Sequence, residues 1–142
     1  MSSLTTDIIF AEALKSNATL LTTISNRLYG TAIQMPDEEA ENTPAPYVIL
    51  TFDGLTNDGT TKDSFEGDTD TVTIGIELCA TSRPALGALA EMIRTTIREY
   101  FEANYDDDRV PEDYQFSAGP VQYDSMKPCF WQTMTYACTS NV

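Results

Sequence analysis

The chain has no histidine, and its eight lysines and arginines face 22 aspartates and glutamates, for a formal net charge of -14. Without histidine the commonest general base and imidazole metal ligand are missing. A cysteine nucleophile would have no histidine partner to activate it. No glycine-rich phosphate loop, nucleophile elbow or paired-cysteine motif occurs. Catalysis needs placed groups with tuned acidity, so the sequence reads as a non-enzyme with no catalytic residues, no cofactor and no metal site. The shortage of bases also disfavours a role in reading DNA or RNA, where contacts to phosphate dominate affinity. Three cysteines, Cys79, Cys129 and Cys138, lack metal-ligand spacing. They read as buried reduced thiols of a chain made in a reducing cytoplasm. No stretch approaches the ~20 apolar residues of a membrane span. The opening Met1-Ser2-Ser3-Leu4-Thr5-Thr6-Asp7 has no basic region or signal-peptide core, so no membrane partner is expected.

What is present suits one packed domain over residues 1–142, with 42% hydrophobic residues. The organising stretch is 68–102. Val72, Ile74, Ile76, Leu78 and Ala80 alternate with Thr71, Thr73, Gly75, Glu77 and Cys79, the period of a strand with one face buried. Ser82 can accept a hydrogen bond from a free amide of the next helix, and Pro84 suits a first helical turn. From 85 to 102 the period changes: Leu86, Leu89, Ala90, Ile93, Ile97, Tyr100 and Phe101 form one helical stripe. A strand feeding such a helix implies a helix laid back across the apolar face of a sheet.

The flanking chain supplies that sheet. Residues 7–16 and 18–24 read as two short helices, with Thr5 or Thr6 capping the first and Asn17 a break or cap for the second. Residues 27–30 read as a turn into extended chain. Residues 31–46 read as an extended loop, with Asp37-Glu38-Glu39-Ala40-Glu41 between Pro36, Pro44 and Pro46. Residues 47–52 form a β-branched, aromatic strand opened by Pro46. Residues 53–69 are rich in turn chemistry and read as a second extended loop, the strands it joins being too far apart for a tight hairpin. Its Asn57-Asp58-Gly59 lacks the closing glutamate of a calcium loop. Asn104 is a helix stop, and Asp106-Asp107-Asp108 a solvent-facing charge run. Residues 114–123 alternate until Gly119-Pro120 forces a kink. Residues 125–128 are a turn, and 129–139 the last strand, apolar in part on both faces and suited to cover by the helix and by another chain. The expected fold is α+β: a mostly antiparallel four-stranded sheet, with one long helix and two short N-terminal helices packed on one face.

Several of these segments together resemble a known family. Leu20-Leu21-Thr22-Thr23-Ile24-Ser25-Asn26-Arg27-Leu28-Tyr29 followed by Pro44-Ala45-Pro46-Tyr47-Val48-Ile49-Leu50 is similar to the opening of the tail completion proteins of long-tailed bacteriophages. These are also called tail terminators or tail-to-head joining proteins. A polar loop with Thr61-Lys62-Asp63, the alternating strand 72–78 and the helix 85–101 continue the pattern. The family usually places proline after the arginine-hydrophobic-tyrosine step, where this chain has Gly30. The resemblance implies a structural virion protein located in the tail or neck, forming a homo-oligomeric ring, commonly a hexamer. Its partners would be copies of itself, the tail tube protein, and the head-tail connector or stopper protein. DNA would pass through the bore without specific binding. Loop length and Phe65 point to Thr61, Lys62, Asp63 and Phe65 in the 53–69 loop, and Glu38 and Glu39 in the 31–46 arm, as subunit or partner contacts. Two other readings stand beside this one: an acidic DNA-mimic inhibitor or decoy, motivated by the charge alone, and an enzyme holding a metal with carboxylates.

Overall fold

A computed structural model describes residues 3–31, 44–57 and 69–141. A 3-10 turn at Ser3–Thr5 leads into α1 (Thr6–Lys15) and α2 (Ala18–Thr23). β1 (Leu28–Gly30), β2 (Tyr47–Asn57) and β3 (Thr69–Ala80) follow, then α3 (Arg83–Ala103). β4 (Asp113–Ala118), β5 (Gln122–Asp124) and β6 (Cys129–Asn141) complete the chain.

The fold is α+β, with six strands where four were expected. The sheet runs β1-β2-β3-β6-β4, and β5 also pairs with β6. Only β1 on β2 is parallel. The two added strands, β1 and β5, are three residues each. Such short edge pieces carry no alternation of their own and are defined by the strand they join. The helical part also differs in detail from one long helix and two short ones, since a 3-10 turn opens it and α1 has ten residues.

The 53–69 loop is corrected too. β2 continues through Asn57 and pairs with β3 as far as Asn57↔Asp70, so the two strands form a long hairpin. The register shifts between Phe52 and Gly54, which leaves Asp53 as the extra residue of a bulge. Asp53 and Gly54 therefore resemble a turn in sequence and sit within a strand.

The α3 caps form as the sequence indicates. Ser82 accepts a hydrogen bond from the Ala85 amide at 3.2 Å, and Pro84 occupies the first turn. Asn104 ends the helix, its amide donating to the Tyr100 carbonyl. Asn17 caps α2 by accepting from the Leu20 amide at 3.1 Å, and its side-chain amide donates to Thr96 on α3 at 2.8 Å. Thr5 takes the cap position of α1 without a side-chain capping bond, and the Thr6 hydroxyl donates to the Ser3 carbonyl.

One face of the sheet carries the helices. Leu86, Leu89, Ile93, Ile97 and Phe101 of α3 meet Val72, Ile74, Ile76, Leu78 and Ala80 of β3, with Ile9, Phe10 and Leu14 of α1 beside them. Ile93 and Ile97 are fully buried. An aromatic group closes the β4 side: Phe10 lies 5.1 Å from Phe101 and 5.2 Å from Tyr136, and Phe116 lies 5.2 Å from Tyr136. Burial raises the Tyr136 phenol well above its usual pKa, and among the described residues its hydroxyl has no hydrogen-bond partner.

Candidate interaction surfaces

Register places a second row of side chains on the sheet face away from the helices. Across β2, β3, β6 and β4 it runs Thr51–Gly75–Thr135–Ser117, then Ile49–Glu77–Thr133 to one side and Thr73–Ala137–Gln115 to the other. No described helix packs here. Small and β-branched residues make this face flat, and most of them are half-buried by one another.

Gly75 is needed at its centre. A Cβ there would meet the carboxylate of Asp53, which the bulge folds over the strand, and the Thr51 hydroxyl. That hydroxyl donates to Asp53 Oδ1 at 2.7 Å.

One end of the same face is apolar. Tyr47, Cys79 and Cys129 are buried there, with Tyr29, Ala45, Ile49 and Trp131 packed around them. Burial, then the hydrogen bond to Cys129, pushes the Cys79 thiol up to about 12. Burial chiefly, with the nearby Cys79, raises the Tyr47 phenol as well. All three cysteines are free and buried, as their strand positions suggest. The expectation that the last strand is partly apolar on both faces therefore holds at this end.

The edges differ. β1 forms one edge, tied to β2 by hydrogen bonds from the Thr31 amide to Leu50 and from the Val48 amide to Arg27. β4 forms the other and pairs, among the described residues, with β6 alone. Beside it, the Arg94 guanidinium lies 4.3 Å from the centre of the Phe116 ring. A shallow groove between α3 and β4 is lined by Arg98, Glu102, Asp106, Glu112 and Tyr114, among others.

The 106–108 charge run is only partly a solvent-facing strip. Arg109 bonds Asp107 and also Glu12 of α1, each at 2.8 Å, tying this loop to the first helix. Hydrogen bonds from the Arg109 side chain and then its backbone amide lower the Asp107 carboxyl to about 2. Sequence reasoning did not see this clamp, nor the arginines beside β4, because neither falls into a motif.

The expected contact residues Thr61, Lys62, Asp63, Phe65, Glu38 and Glu39 lie outside the described residues. What is described is where their segments are anchored. Residues 32–43 leave from Thr31 and return at Pro44, on the β1–β2 edge. Residues 58–68 leave from Asn57 and return at Thr69, and the side chains of Asn57 and Asp70 bond at 2.7 Å. Hydrogen bonds from Asn57 and Ser3 hold the Asp70 carboxyl below its usual range. Among the described residues no group of His, Cys, Asp and Glu is placed to hold a metal ion. No described helix is long and apolar enough to cross a membrane.

No model of a known protein family matches the chain, and no curated protein matches it. Solved structures do. The architecture is shared with a chain of a structure described as the virion of the native gene transfer agent (GTA) particle. The TM-score is 0.62 at 10% identity, over 92% of this chain and 90% of that one. This chain thus has the fold of a chain found in that virion.

Proposed function

We propose that the protein is a structural subunit of a tailed phage or phage-like particle, and within that class a tail terminator. On this reading it closes into a ring, six being the number its sequence resemblance implies. The ring caps the tail tube and offers a surface to the head connector. The observation that carries the reading is the fold shared along 92% of the chain with a virion chain. The flat sheet face with one apolar end adds to it. A ring also removes exposed strand edges by closure. The protein then acts by assembly, not catalysis, and holds no cofactor. Acids facing the bore would repel phosphate within a screening length of ~8 Å and let DNA slide.

The test is capping. Purified protein is added to uncapped tail tubes and viewed by negative-stain electron microscopy, with unrelated acidic protein as control. Density at one tube end, and tubes that no longer elongate, is the expected result. Tubes that keep growing with bare ends would overturn the reading.

The acidic-decoy alternative rests on the charge of -14. A DNA mimic needs acids spaced along one elongated face. Here the described acids are dispersed over the open sheet face at Glu77, over α3 at Glu91 and Glu99, and over 106–108. Competition with DNA for a basic nuclease or repressor would favour the decoy over the ring.

A further inference from the structure

The three cysteines divide between the two faces of the sheet. Cys138 stands opposite Val72 and packs in the core under the helices. Cys79 and Cys129 lie on the other face, in one buried cluster with Tyr47. Cys79 is opposite Trp131, and residues two apart on a strand share a face, so Cys129 is its diagonal neighbour. The two thiols are hydrogen-bonded to each other, and all three cysteines are free.

Diagonal neighbours in a regular ladder have Cα atoms about 7–8 Å apart, a little more than a disulfide spans. This pair sits where the ladder ends. The last β3–β6 pair is Ala80↔Phe130, and Cys129 lies one residue beyond it. Among the described residues its strand partner is Asp124, in the three-residue β5. The turn before it, 125–128, is exposed throughout. So short a pairing belongs to the low-stability end of a fold and opens locally. Opening β5 admits a small reagent to Cys129 and frees its backbone to bring the sulfurs together. Cys79 is fully buried, and burial with the Cys129 hydrogen bond pushes its thiol up to about 12. It therefore reacts second, from inside.

We propose that Cys79 and Cys129 form an intrachain disulfide that ties β3 to β6 at the apolar end of the open face when the chain meets an oxidising medium. The oxidant is a low-molecular-weight disulfide such as oxidised glutathione. The Cys129 sulfur, giving its proton to solvent, attacks one glutathione sulfur and forms a mixed disulfide. The glutathione thiolate expelled takes up a proton. The Cys79 sulfur loses its proton and attacks the Cys129 sulfur, and the second glutathione leaves in the same way. Two protein thiols are oxidised, one glutathione disulfide is reduced to two thiols, and the protons balance. The bond closes residues 80–128 into a loop, which restricts the unfolded chain and raises stability. It needs one copy of the chain, ring or no ring.

The test counts thiols in the full-length chain. Reduced protein, and protein incubated folded with oxidised glutathione, are each unfolded, alkylated with N-ethylmaleimide and weighed by mass spectrometry. Three adducts are expected on the reduced chain and one on the oxidised chain, the latter mapped to Cys138 beside a linked 79–129 peptide pair. The thermal midpoint should rise by about 4 °C or more on oxidation of the parent, and should not respond to oxidant in Cys129→Ser. Three adducts after oxidation, a bond that includes Cys138, a bond between two chains, or glutathione left on Cys129 overturns the inference. So does a midpoint that stays or falls as the bond forms. The adduct count is made on the parent chain, so it decides the matter even where Cys129→Ser fails to fold.

Discussion

Gly30 and Gly54 allow a controlled test of how β1 is held to the sheet. Both have positive φ, +144° and +150°. That region is costly for any residue with a Cβ, at about 1–3 kcal/mol. Their surroundings differ. A Cβ at Gly54 meets nothing within 4 Å, whereas one at Gly30 would overlap the backbone of Leu50 in β2. Gly54→Ala should therefore show the conformational cost alone. Gly30→Ala must also push β1 away, stretching the bonds from Thr31 to Leu50 at 3.1 Å and from Val48 to Arg27 at 3.0 Å. At about 1 kcal/mol per hydrogen bond, Gly30→Ala should cost about 2 kcal/mol more than Gly54→Ala. Thermal unfolding followed by circular dichroism should place its midpoint a further ~4–8 °C lower, at about 2–4 °C per kcal/mol for a chain of this size. Urea midpoints at constant slope give the same comparison without heat. If the two variants agree within about 0.5 kcal/mol, the parallel β1–β2 contact does not hold as described.

Three further outcomes follow from the core and the titrating groups. Ile93→Ala, at a fully buried position under the sheet, should destabilise by about 2–5 kcal/mol in urea titration; a loss under about 1 kcal/mol would mean α3 does not pack as described. The Asp107 carboxyl should titrate near 2 by NMR and return toward 3.8 in Arg109→Ala. Its folded-state pKa is lowered, so its stabilising contribution is present above the unfolded value and lost as pH falls through about 2. An unmoved titration in the variant would remove Arg109 as the cause. Cys138 is raised by burial to about 12, and Cys79 likewise by burial and Cys129. Raised thiols stabilise fully below the unfolded value of about 8.5 and progressively less as pH climbs toward 12. The urea midpoint should then fall between pH 8 and 11; a flat profile would contradict the burial of these thiols.

Where the sequence carried a full period it specified the structure. The alternation of 71–80 and the stripe of 85–102 became β3 and α3, with Ser82, Pro84 and Asn104 at their expected stations. The kink at Gly119-Pro120 separates β4 from β5. Where one residue breaks the period, legibility fails. Asp53 shifts the register and Gly54 adds a turn-like residue, so the outer half of β2 read as loop. β1 was hidden because its partner is remote in sequence, and Leu28–Gly30 is too short to alternate. The contact residues chosen in the two extended loops fall outside the described residues. The arginines beside β4 were legible only as spacing, since the contact of Arg94 with the Phe116 ring depends on packing.

A ring subunit of the kind proposed is a helix-backed sheet that builds with copies of itself. Native mass spectrometry of the full-length protein across a concentration series addresses it most directly. A six-membered ring gives a closed species near 94 kDa, six times the 15.7 kDa subunit, growing at the expense of monomer and stopping there. A single 15.7 kDa species at every concentration, or an open ladder with no preferred size, would contradict it.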